Sequence, residues 1–162
     1  VLSRLAPLAQ LAGRAGVAGR AGLGSIKRRA VARLSRRRAA SAEDMHDFLI
    51  VAQHSFVHMQ AAWDRADLPA LGLMTTEPLL DDLREQLSLR GPGPNCTVVL
   101  ELRARLLALE DLHEAFVASV EFTGLIREHV GEAAEPFREL WLLADVKASG
   151  RGWRLAHVQS LC

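Results

Sequence analysis

Hydrophobic positions change their period midway along this chain. From 42 to about 66 they recur at steps of three and four, with Phe48, Val51, Ala52, Phe56, Met59 and Trp63 on one face. That spacing predicts an amphipathic helix buried along the same face. Ser41-Ala42-Glu43-Asp44 ahead of it reads as a capping box with an acidic first turn. Asp67 is placed to cap a short second helix with Pro69 early in it. Thr75 or Thr76 caps a third, with Pro78 in its first turn and Leu79, Leu80, Leu83 and Leu87 turned inward. Gly91-Pro92-Gly93-Pro94 then stops the helical pattern.

Beyond the breaker the period becomes two. Phe116 to Phe122 alternates and is rich in β-formers. Phe137, Glu139, Trp141 and Leu143 fall on one side of a second run, Phe137 to Val146. Gly150-Arg151-Gly152 is a turn, and Trp153 to Val158 a closing strand. Residues 98–114 are ambiguous: Leu100, Leu102, Ala104 and Leu106 alternate with charges, yet the stretch consists of good helix formers. Three helices followed by antiparallel strands predict an α+β domain, its helices on one face of a curved sheet of about four strands.

Charge adds a division that the hydrophobic pattern does not show. The chain has 162 residues and a formal net charge of +1. Residues 1–41 hold ten basic residues and no acid; residues 42–162 hold the other ten with all 19 acids, a net of −9. The expected organisation is therefore a basic tail over 1–41 and one domain over 42–162, each meeting different partners. At 49% hydrophobic and 24% charged, the chain is no disordered polymer. Its two cysteines make neither a disulfide framework nor a zinc cluster.

The tail divides again. Glycines at 13, 16, 19 and 22 interrupt its first part. In the second, Ser25 is placed to cap a short helix with Ile26, Ala30, Val31 and Leu34 on one face. Lys27, Arg28, Arg29, Arg33, Arg36, Arg37 and Arg38 fill the rest. A basic amphipathic helix of this kind lies on anionic membrane. The same cations meet rRNA phosphates equally well. A solvated linker, or the Arg-rich and acid-free composition of a transit segment, is the plainer account.

Five fragments of the domain resemble one family. Gln60 to Leu68 is similar to a helix-to-helix junction of the Tim-forty-four-like domain, named after a subunit of the mitochondrial inner-membrane protein translocase. Met74-Thr75-Thr76-Glu77 resembles the start of its next helix, and Val120 to Glu128 its second strand. Glu135-Pro136-Phe137-Arg138-Glu139-Leu140-Trp141 resembles its third strand, with the Phe-x-Glu-x-Trp signature, and Gly152 to Gln159 its last. The resemblance covers about 44–160, leaves the tail outside, and is nearest to bacterial members. It implies a cone-shaped fold like nuclear transport factor two and makes 98–114 a strand. It also implies a non-enzymatic adaptor or tether for protein partners of a membrane complex. The place would be the periphery of a bacterial inner membrane or the matrix face of the mitochondrial one. A related mitochondrial large-ribosomal-subunit protein makes rRNA the alternative partner.

Candidate chemistry is sparse. Phe56, Trp63, Phe122, Trp141 and Trp153 are candidates to line a pocket inside the cone, although large aromatics more commonly fill a core. Glu139 and His157 are the strand residues able to move a proton there. More often such a Glu faces solvent or pairs with an arginine across the sheet, here Arg154. The chain has no tyrosine to donate to an oxyanion. His54 and His58 stand four apart, without the Glu of a zinc-protease helix. No catalytic set, metal, cofactor or small-molecule substrate is expected, and a small-molecule-binding protein or enzyme of the same fold is the remaining alternative.

Overall fold

The computed structural model describes residues 42–90, 96–128 and 131–161. The tail, with its seven cations from Lys27 to Arg38, lies outside the described residues, as do the Ser41 cap and the breaker at 91–94. Three helices, α1 (Ala42–Asp64), α2 (Leu68–Met74) and α3 (Glu77–Arg90), precede four strands. These are β1 (Val98–Asp111), β2 (Ala115–Arg127), β3 (Glu135–Val146) and β4 (Trp153–Ser160). All three neighbouring pairs are antiparallel and the spatial order is β1-β2-β3-β4. Among the described residues, no helix is long and apolar enough to cross a membrane.

The ambiguous stretch is a strand throughout. Its helix-forming residues are overridden by pairing with β2 from Val98 opposite Arg127 to Asp111 opposite Phe116. Register shifts at Val99/Glu101 and Leu106/Ala108 bend β1, and another at Leu142/Leu143 bends the β3–β4 pair. The sheet curves over one layer of helices. Between them lie Phe56, Met59, Trp63, Leu71 and Leu83 from the helices and Val120, Phe122, Ile126, Trp141, Leu155 and Val158 from the sheet.

Local chemistry sets the helix boundaries. Ala66 adopts a left-handed φ of 54°, and the Asp67 N–H reaches back 2.9 Å to the Ala62 carbonyl, which terminates α1. Arg90 donates to the Trp63 carbonyl at 2.7 Å, placing a cation at the negative end of α1. Asp64 accepts from the Thr97 N–H at 2.6 Å and its hydroxyl at 3.0 Å, stitching that end to the start of β1. The Asp67 carboxylate accepts from the Ala70 N–H at 3.0 Å, the cap expected for α2. Asp67→Ala is expected to cost about 1 kcal/mol in urea denaturation; an unchanged midpoint would remove the cap's role.

The choice between Thr75 and Thr76 falls to Thr76, and one other expectation is corrected. Thr75 is the C-cap of α2, and its buried hydroxyl donates back to the Leu71 carbonyl at 2.8 Å. Its neighbour Thr76 accepts from the Leu80 N–H and donates its own N–H to the Leu155 carbonyl, so α3 begins pinned to β4. Val51, on the expected core face of α1, is 62% exposed. The helix turns it to the mouth of a cleft and not into the core.

Candidate functional site

The inner face of β3 presents Phe137, Glu139, Trp141 and Leu143, all buried. Phe56 of α1 lies over them, with ring centres 5.3 Å from Phe137, 5.0 Å from Trp141 and 4.9 Å from Phe122 on β2. Within this aromatic group stands Glu139, 2% exposed. Its carboxyl accepts a 3.0 Å hydrogen bond from the Trp141 indole N–H. The expected alternatives for Glu139, solvent or Arg154, are both replaced. Arg154 instead donates to the Thr75 carbonyl. Burial pushes the Glu139 carboxyl up to about 7, against the smaller opposing pull of the Trp141 bond. It is a proton-accepting group poised near neutrality.

Glu139 has no chemical companion among the expected residues. His157 pairs with Leu142, whose neighbours Trp141 and Leu143 point inward, so the imidazole lies on the opposite face of the sheet. Partial burial lowers its pKa, and it cannot meet Glu139 through the sheet. His54 and His58 are exposed on α1. Among the described residues no three His, Cys, Asp or Glu come together to hold a metal. Among the described residues five buried side-chain nitrogens find no hydrogen-bond partner: Gln60 Nε2, Trp63 Nε1 and the Nε of Arg90, Arg127 and Arg154. The Trp63 ring carries the Arg90 guanidinium 5.2 Å from its centre.

A cleft opens at the other end of α1. Phe48, Val51, Ala52, Ser55 and Met59 form one wall and Leu73 and Met74 of α2 a second. Trp141 and Leu143 of β3 with Trp153 and Leu155 of β4 complete it. Its volume is about 110 Å³. That is below the ~150 Å³ of an apolar cavity that takes up benzene, and well below the ~300 Å³ at which drug-sized sites begin. The lining bears no ionisable side chain, and Ser55 supplies its one hydroxyl. Three large apolar side chains stand out at the mouth: Leu73 at 75% exposure, Val51 at 62% and Trp153 at 37%. Trp153 is held edge-on to Phe48, ring centres 5.3 Å apart.

Of the five aromatic candidates, the structure brings Trp141 and Trp153 to the cleft and leaves Phe56, Trp63 and Phe122 in the core. Phe48, Val51 and Leu73 line the cleft without having been singled out for it. For Val51 the signal was its place in the apolar stripe of α1. For Leu73 it was a leucine on a helix too short to bury both its sides. Glu139 touches the cleft only through Trp141, which lines the cleft with its ring and bonds the carboxyl with its indole nitrogen.

The open face of the sheet carries a different arrangement. Glu121 accepts from Arg138 at 2.7 and 3.0 Å and from Arg105 at 2.9 Å. The Arg138 bonds foremost, with those of Arg105, hold its carboxyl below the usual range despite desolvation. The two cations are thereby spent on one acid at mid-sheet.

No protein-family model and no curated protein sequence matches the chain. Among solved structures, the fold is similar to a nuclear transport factor 2 (NTF2-like) superfamily protein from Salmonella enterica subsp. enterica serovar Typhimurium str. LT2. That likeness has a TM-score of 0.44 and 12% identity, covering 72% of this chain and 92% of that one. It is also similar to a ketosteroid isomerase-like protein from Erwinia carotovora atroseptica SCRI1043, with a TM-score of 0.40 and 16% identity. Here the cover is 70% of this chain and 96% of the other.

Proposed function

We propose that this protein is a non-enzymatic binding module whose cleft receives an apolar side chain of a protein partner while its basic tail meets an anionic membrane. The observation that carries the reading is the cleft itself. It is apolar, about 110 Å³, free of ionisable groups and rimmed by exposed Val51, Leu73 and Trp153. A space of that size takes one branched aliphatic side chain, and an apolar mouth draws a second apolar surface over it. Support for the membrane half comes from the +10 tail ahead of a −9 domain and from the resemblance to the Tim-forty-four-like family.

Isobutane, the hydrocarbon of a leucine side chain, probes the cleft. It is expected to raise the melting temperature of the full chain, and Ser55→Leu, which fills the cleft, is expected to abolish that rise. An equal rise in both would remove the cleft from the reading. The membrane half is tested by flotation with cardiolipin-containing vesicles. Reversing Arg36, Arg37 and Arg38 to Glu is expected to lower binding by at least about tenfold at low salt, given ~1 kcal/mol per basic residue near the surface. Unchanged flotation would sink the tail's role.

Glu139 favours a second reading, a small-molecule site or enzyme that uses this carboxyl as a general base. A substrate would have to displace Trp141 to reach it. Loss of a turnover in Glu139→Gln, with binding retained, would establish that reading over the first.

A further inference from the structure

We propose that in the free protein the cleft is occupied by the chain's own segment 25–38, through its apolar stripe Ile26, Val31 and Leu34. This rests on reading the cleft as a docking site and names its first occupant. It also makes cleft and membrane rivals for one surface.

Geometry supplies the first argument. The cleft lies beside the beginning of α1: Phe48 and Val51 are on its second and third turns, and the tail joins the helix at Ala42. Phe48 is only about 9 Å along the helix axis from that junction. Seven residues separate Leu34 from Ala42, enough to span up to about 25 Å when extended. The tether therefore reaches the cleft with length to spare. It also holds the stripe there at an effective concentration of millimolar order.

Charge and size agree with it. The segment carries seven cations and no acid, and the domain it would lie against has a net charge of −9. Such a field draws the tail to the domain before any apolar contact forms. The cleft holds about 110 Å³, room for one aliphatic side chain, with Leu73 and Trp153 at the mouth to cover its neighbours. A stripe of single aliphatic residues, set apart by arginines, matches a cavity that admits one of them. On the membrane the same stripe would turn into the headgroup layer. Binding to lipid then empties the cleft for a protein partner, so the module is blocked in solution and open at its surface of action.

The test places a photoreactive benzophenone amino acid at Leu73 of the full chain, at a dilution where native mass spectrometry shows monomers. Irradiation is expected to join position 73 to a peptide within 25–38. Val31→Asp with Leu34→Asp is expected to lower that yield by about tenfold, since a charge is refused by an apolar cavity. Cardiolipin vesicles are expected to lower it likewise. Isobutane is expected to act on the double variant at about tenfold lower concentration than on the native chain, because the site is no longer pre-occupied. Absence of crosslinks to 25–38, or crosslinks only between two copies, would overturn the proposal. If isobutane acts equally on both chains, self-docking fails and the docking cleft stands. If it acts on neither, the docking reading falls and takes this inference with it.

Discussion

Glu139→Gln is expected to remove most of the loss of stability that the native protein suffers between pH 5 and 8. In the folded protein the Glu139 carboxyl is held at about 7, against 4.5 in the unfolded chain. The folded state thus binds this proton more tightly, and its contribution is fully present below the unfolded value. Stability falls as pH rises, and the loss is complete once the folded carboxyl has ionised. At about 1.4 kcal/mol per pH unit the whole change is about 3 kcal/mol. His157 works in the opposite direction, because its lowered pKa makes folding easier as it loses its proton. The difference between native and variant profiles therefore isolates Glu139. The amide keeps an oxygen for the Trp141 N–H and cannot ionise. Above pH 8 the variant should be the more stable of the two, by less than the full amount because the amide nitrogen brings two N–H donors into the core. Urea denaturation at half-unit pH intervals decides it, and parallel profiles would show that Glu139 keeps an ordinary pKa.

Gly124→Ala is the other large effect. Gly124 sits in β2 opposite Leu102 of β1 and Phe137 of β3, next to the irregularity at Val99/Glu101. A Cβ there would stand 1.9 Å from the Glu101 carbonyl oxygen and 3.0 Å from the Phe137 ring. The first contact is with backbone, which cannot turn aside as a side chain does. One methyl group would force β1 off β2, at a cost of about 3 kcal/mol or more, beyond the usual range for overpacking. Hydrogen exchange should then show β1 amides from Val99 to Arg103 losing protection ahead of β3 and β4. Native-like protection in β1 would show that the strand absorbs the methyl.

The parts of the fold legible in the sequence are those where period and chemistry agree. Asp67 with Pro69 marked α2, and Gly150 and Gly152 marked the turn before β4. Both carry a positive φ, of 62° and 73°. The strand 98–111 was not legible from its residues, because its leucines alternate with strong helix formers and only pairing with β2 decides between them. Glu139 shows how a correct pattern can be outweighed by an average habit. The period of two put it beside Phe137, Trp141 and Leu143, and the structure keeps it there. The usual preference of glutamate for solvent pointed the other way. The cleft was illegible for a different reason. Its walls come from four elements, and an apolar stripe gives no sign of whether one of its residues, such as Val51, is buried in the core or left exposed at a cleft.

The strands lie in space in the order in which they occur in the chain. Each therefore finds its partner through a short connection, and the sheet can grow by successive hairpins without waiting for distant segments. Closure between the helices and the final strand spans a far longer loop, where Thr76 bonds Leu155 across 79 residues, and contacts of such separation are the slower kind to form. Because Leu155 and Trp153 of that strand also form the cleft, the cleft is complete only once β4 has joined the sheet. A chain interrupted before β4 would have its sheet begun but no cleft.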